Sequence, residues 1–215
     1  TNYEISYVDG SVNVTKRTVN LTVDNKAITY GDDLPEFTYS LTSYDGESDV
    51  FAEGEDINTL GTLAINATEY TGNAGGYDIV ASGLNSSNYE IVINNARLTV
   101  NKKAVTVTPN DVNVTYGDQV PTYTFSANGL VNGEGLDVLG TIEAECLYEF
   151  KSNVGTYAIS INPELVQSSN YEITLAQGLV TVGKKSATLT LGEVEITYYD
   201  AIPNDNRFIS ALSAT

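Results

Sequence analysis

The tetrapeptide Asn-Tyr-Glu-Ile begins at Asn2, at Asn88 and again at Asn170, spacings of 86 and 82 residues. Self-similarity at a near-fixed period constrains a fold more than local propensity does, because each period must build the same structural unit. Other landmarks keep this register. Tyr-Gly-Asp stands at Tyr30, Gly31 and Asp32 and at Tyr116, Gly117 and Asp118, with Tyr-Tyr-Asp from Tyr198. A proline follows each at one offset, Pro35, Pro121 and Pro203. Dibasic pairs recur at Lys16-Arg17, Lys102-Lys103 and Lys184-Lys185.

The 215 residues divide accordingly. Residues 1–16 read as the last hairpin of an upstream repeat, 17–102 as a first full repeat, 103–184 as a second, and 185–215 as the start of a third, partial one. From Tyr39 to Leu60 the first repeat is seven residues longer than the second is from Phe125 to Leu139. That marks the stretch from Ser43 to Glu55 as a loop.

Within each repeat the pattern is that of strands. Val19, Leu21 and Val23 alternate with polar residues, as do Val105 and Val107, and Ala187, Leu189 and Leu191. A period of two is that of a half-buried strand. A second short strand ends at Tyr30 or Tyr116. Gly31 or Gly117 then permits a positive φ, and Asp32 or Asp118 can bond the turn's backbone. Tyr199 replaces that glycine in the third repeat, which predicts a different turn there. Middle strands are expected around Tyr77-Asp78-Ile79 and Tyr157-Ala158-Ile159. A closing hairpin is expected over Tyr89 to Val100, turning at Asn94-Asn95, and over Tyr171 to Val182. The segments Glu53–Leu60 and Asn132–Leu139 each suit one short helical turn with an acidic start.

Composition narrows the function. The chain has no His, Met or Trp and one Cys. Without imidazole there is no Ser-His-Asp triad, Cys-His dyad or His-ligated metal. One thiol forms no internal disulfide. Ten basic against 28 acidic residues give a net charge of −18, the wrong sign for a nucleic-acid partner or an anionic membrane surface. No apolar run is long enough for direct membrane insertion by this segment. The absent Met suggests a processed chain or a piece of a longer one. No repeated acid sits in a cleft motif for glycoside hydrolysis, so the chain reads as a non-enzyme, with no cofactor and no catalytic residue.

The run Tyr-Gly-Asp…Pro, Asn-Gly-Glu…Leu-Gly-Thr, Asn-Val-Gly-Thr-Tyr, Ser-Ser-Asn-Tyr-Glu-Ile and Leu-Val-Thr-Val with Lys-Lys resembles the MBG repeats of the YGX type. The second repeat, Val105 to Lys185, matches most fully; the first keeps its ends and departs in the inserted loop. The resemblance implies a tandem segment of a bacterial surface protein, extracellular, in a family related to mucin-binding modules. It implies mainly β structure: small β-grasp-like modules with at most one short helix each. An immunoglobulin-like β-sandwich is the alternative. The junctions lack a Pro- or Gly/Ser-rich linker, so a stiff stalk or spacer is expected. The alternative is an adhesin module for mucin or other host glycans. Neighbouring repeats of the same chain are the other expected partners.

Three groups of residues are candidates for more than packing. Asp45, Glu47, Asp49, Glu55 and Asp56 crowd carboxylates into the inserted loop. Calcium takes such ligands, but the spacing is not that of an EF-hand, and a solvated acidic loop is the preferred reading. Tyr44 and Tyr70 fall outside the repeated strand pattern, which leaves them freest to stack on sugar rings. The dibasic pairs hold six of the ten basic residues and are expected to face acidic groups of the adjoining repeat. Cys146 shares a face with Ile142 and Ala144 and reads as a small buried hydrophobe.

Overall fold

The computed structural model describes residues 2–43, 49–191, 197–198 and 212–214. It is mainly β and forms two compact units. The first comprises Thr1–Val105, Gly129–Gly140 and Gln167–Ile173; the second comprises Thr106–Asn128, Thr141–Val166 and Thr174–Thr215. The first unit therefore takes in two stretches of the second sequence repeat.

The first repeat builds seven strands: β1 (Arg17–Val23), β2 (Lys26–Thr29), β3 (Tyr39–Ser43), β4 (Gly61–Ala67), β5 (Gly75–Leu84), β6 (Tyr89–Asn94) and β7 (Ala96–Asn101). They form two small sheets, in the orders β3-β1-β6 and β2-β7-β5-β4. The second repeat repeats this with β8 (Lys103–Pro109), β9 (Val112–Thr115), β10 (Phe125–Asn128), β11 (Ala144–Cys146), β12 (Gly155–Ile161), β13 (Tyr171–Leu175) and β14 (Gly178–Gly183). Its sheets run β10-β8-β13 and β11-β12-β14-β9. Further on, β15 (Leu189–Leu191) pairs antiparallel with β16 (Leu212–Ala214). No strand forms over residues 2–16, where Tyr3, Ile5 and Tyr7 are exposed. Tyr199 lies outside the described residues.

The alternation sets the core. Val19, Leu21 and Val23 of β1 are buried, and Leu21 and Val23 meet Ile79 and Ala81 of β5 and Leu98 and Val100 of β7. These strands belong to different sheets, so the first core lies between them. Ile159, Val180, Val182 and Tyr148 form the matching cluster in the second unit.

The closing hairpin is not what forms. β6 pairs parallel with β1, with Val19 opposite Ile91. β7 instead pairs parallel with β2 and antiparallel with β5. The strands thus part company at Asn95 and join different sheets. β1 and β2 do the same across Asp24-Asn25, so two parallel strand pairs turn one corner together. The corner breaks the backbone ladder, and a side chain repairs it. Asn25 Oδ1 accepts from Arg97 N at 2.8 Å, and Asp111 Oδ1 from Leu179 N at 2.8 Å.

The helical turns are as short as expected: 3-10 turns at Ile57–Leu60 and Leu136–Leu139. Each drives one fully buried leucine, Leu60 or Leu139, into the interior. Asp56 caps the first, its Oδ1 accepting from Asn58 N at 2.9 Å.

Candidate functional site

The most organised polar cluster lies where the first repeat's Tyr-Gly-Asp turn meets the loop before the second repeat's 3-10 turn. All of its groups belong to the first compact unit. Thr29 N donates to Asp32 Oδ2 at 2.9 Å, and Asp32 N donates back to Thr29 O at 2.9 Å. This closes the turn on Gly31, at φ +89°. Gly117 repeats it at +88°, with Thr115 N 2.7 Å from Asp118 Oδ2.

The turn presents Tyr30 to Glu134. The Tyr30 hydroxyl donates to Glu134 Oε1 at 2.6 Å. The Tyr171 hydroxyl donates to Glu134 Oε2 and accepts from Val131 N at 2.8 Å. The two rings meet edge to face at 5.4 Å, a favourable geometry for aromatic pairs. Beside them Asn170 Oδ1 accepts from Ala74 N at 2.9 Å, and its Nδ2 donates to Asn73 Oδ1 at 3.0 Å. The Val131 side chain lies against Gly31, where an added Cβ would fall 2.5 Å from Val131 Cγ2.

The electrostatics follow from one carboxylate accepting hydrogen bonds from two phenols. Tyr171 first, then Tyr30, hold the Glu134 carboxyl below its ordinary range. Burial, reinforced by Glu134, pushes the Tyr171 phenol up to about 12. Tyr30 is raised chiefly by its hydrogen bond to Glu134. Such charge-assisted bonds are stronger than neutral ones.

The backbone between the repeats is pinned at the same place. β7 ends at Asn101 and β8 begins at Lys103, leaving Lys102 alone between strands. Tyr30 N donates to Asn101 O at 2.8 Å, and Lys103 N to Asn170 O at 3.0 Å. The dibasic pairs do not meet carboxylates as expected. Lys16 Nζ donates to Ser86 O and Lys102 Nζ to Ser168 O, each at 3.0 Å, and Arg17 donates to Asp49 O. The Ser-Ser-Asn turns place these carbonyls in reach of the lysine stems. Among the described residues the one ion pair is Arg97–Asp78, at 3.7 Å and exposed.

The acidic-loop candidates separate. Asp45 and Glu47, with Tyr44, lie outside the described residues. Glu55 accepts from the Tyr89 hydroxyl, Asp56 caps the 3-10 turn, and Asp49 offers its backbone oxygen to Arg17. Among the described residues no three His, Cys, Asp or Glu side chains gather as a metal site. Tyr70 has a counterpart after all. It packs edge-on against Tyr77 at 5.1 Å, as Tyr148 does against Tyr157 at 5.8 Å. The pairs are seven and nine residues apart, and that difference hides the match in the sequence. Its ring is half-buried at the core edge. Cys146 is a half-buried free thiol against the second core.

The Tyr-Glu-Tyr cluster was not singled out from sequence, although its two tyrosines were. Tyr30 and Tyr171 are landmarks, and Glu134 stands in the repeated Gly-Glu with Glu55. What periodicity does not reveal is that the partners come from different repeats.

Two copies of one small two-sheet module, with the turn of one fastened to the loop of the next, define a tandem-repeat β protein. The profile of the family described as MBG domain (YGX type) matches residues 19–99 and again 105–181, and the chain belongs to that family. Its members are repeat modules of bacterial surface proteins. No curated protein matches the chain.

Proposed function

We propose that this segment is a stiff, non-enzymatic spacer in an extracellular bacterial surface protein. The observation that carries the reading is the Tyr30–Glu134–Tyr171 cluster, which fastens one repeat to the next beside a one-residue link. A flexible linker would place solvated, glycine- or serine-rich chain there. Here every nearby backbone group named above has a partner, and two aromatic rings interlock. Small-angle scattering tests this. Wild-type protein is expected to fit one conformation, and Glu134→Ala an ensemble. A wild-type curve that itself requires an ensemble overturns it.

A second reading, an adhesin module for mucin or other host glycans, has one observation in its favour. Phe37 and Tyr39 line an open depression of about 500 Å³ with Glu36, Asn58 and Thr62. Tyr39 is exposed, and rings beside carboxylate and amide groups suit a sugar's apolar face and hydroxyls. A glycan array decides between the readings. Saturable binding lost in Tyr39→Ala supports the adhesin; no binding at high micromolar protein removes it.

A further inference from the structure

The joint at Glu134 is built from landmarks that recur, so each repeat carries one half of it on each of two faces. In the first repeat the socket half is complete. Tyr89 donates its hydroxyl to Glu55 Oε2 and accepts from Ala52 N at 2.9 Å, as Tyr171 does with Glu134 and Val131 N. In the second repeat the plug half is complete. Tyr116 and Gly117 hold the same turn as Tyr30 and Gly31, with Asn153 and Val154 in the places of Asn73 and Ala74.

Four pairs of equivalent residues differ in burial between the occupied halves and the unoccupied ones. Tyr30, Ala74, Val131 and Asn170 are half-buried, whereas their counterparts Tyr116, Val154, Ala52 and Asn88 are all exposed. Tyr116 shows 40% of its surface and Val154 48%. A Cβ on Gly117 would meet nothing within 4 Å, against 2.5 Å to Val131 for Gly31. Beside the first repeat's socket lies a depression of about 530 Å³ lined by Val50, Phe51, Ala52, Glu53 and Glu55.

We propose that the socket of Ala52, Glu55, Asn88 and Tyr89 receives the Tyr-Gly-Asp turn of a further module of this kind. A second copy of this chain supplies that occupant through Tyr116, Gly117, Asn153 and Val154. The inference rests on the spacer reading and extends it: the same joint serves at every repeat boundary. The contact is heterologous, one face against a different one, so it propagates head to tail rather than closing into a symmetric pair. It is also small, so between separate molecules it is weak. Tethering in tandem supplies the high effective concentration that makes it persist. Phe51 is a feature of the first socket alone. It packs edge-on against Tyr89 at 5.7 Å, where the second repeat has Leu130, and the incoming tyrosine must displace it or share the ring.

Cross-linking of the full chain tests this. In a Cys146→Ala background, one preparation carries Asn88→Cys and the other Asn153→Cys; the two are mixed with a short bismaleimide. The expected product is the mixed dimer, several-fold above the statistical share. Tyr116→Ala in the Asn153→Cys chain is expected to return it to that share, and Phe51→Leu in the other chain to raise it. Circular dichroism checks that each variant is folded. A chain carrying both Asn73→Cys and Asn170→Cys, expected to close on itself, serves as the control. Closure of that control with a statistical mixture of dimers overturns the inference and leaves the spacer reading intact. Failure of the control overturns the joint on which both rest.

Discussion

Glu134 accepts one phenolic hydrogen bond on each carboxylate oxygen, and the joint's behaviour with pH follows from that. Its folded pKa lies below the ordinary 4.5. The stabilisation is therefore present above that value and is lost as pH falls through the lowered one. Chemical denaturation of wild type and Glu134→Gln is expected to differ by about 1–3 kcal/mol at neutral pH, in the range for hydrogen bonds to a charged group. The difference should shrink below pH 4.5; a difference that holds constant there contradicts the assignment. Tyr171 shifts the other way. Its phenol, raised to about 12, favours the folded state up to its ordinary 10.0, and that benefit disappears as pH climbs through 12. Gly31 and Gly117 supply a matched comparison, since both have positive φ but only at Gly31 would an added Cβ meet another side chain, that of Val131. Alanine at either position carries the left-handed backbone cost of roughly 1–2 kcal/mol. Gly31→Ala must also displace Val131, so its midpoint denaturant concentration should fall further than that of Gly117→Ala. Equal losses would mean that the Val131 contact contributes nothing.

The element that commits each module is its 3-10 turn, because it carries a fully buried leucine on only four residues. Leu139→Ala is expected to destabilise by about 2–5 kcal/mol, the usual range for emptying a leucine site, and urea unfolding would show it. A loss under 1 kcal/mol would mean the turn is not an anchor. This turn was legible in the sequence, as were most of the strands; β3 and β10 were not anticipated, and no strand forms over residues 2–16, where a hairpin was expected. Alternating valines fixed the buried faces of β1 and β8, and the acid-led segment ending in Leu-Gly-Thr marked a single turn. Pairing was less legible. Asn94-Asn95 has the composition of a hairpin turn, yet β6 and β7 lie in different sheets. What decides this is the break at Asp24-Asn25, which turns β1 and β2 through the same corner. Alternation records which side of a strand is buried and is silent on which neighbour it hydrogen-bonds. The candidate site was legible in parts for the same reason: Tyr30 and Tyr171 stood out by repetition, but their shared carboxylate is a tertiary fact. Tyr70 shows the reverse error, a patterned residue concealed because the loop from it to Tyr77 is two residues shorter than that from Tyr148 to Tyr157.

For the whole molecule, the net charge of −18 bears on how the joint is built. Like-charged surfaces repel, and surface ion pairs contribute little and are screened by salt. The joint uses one carboxylate with phenols, an amide network and a lysine on a carbonyl, none of which requires an opposite charge across it. Its rigidity should therefore survive high salt. The most direct measurement is a spin-label distance distribution between Glu90→Cys and Glu172→Cys, equivalent exposed positions in β6 and β13 and both in the first compact unit, in a Cys146→Ala background. A coupled joint predicts one narrow distribution in wild type, unchanged by salt and broadened by Glu134→Ala. A broad wild-type distribution that Glu134→Ala leaves as it was would contradict it.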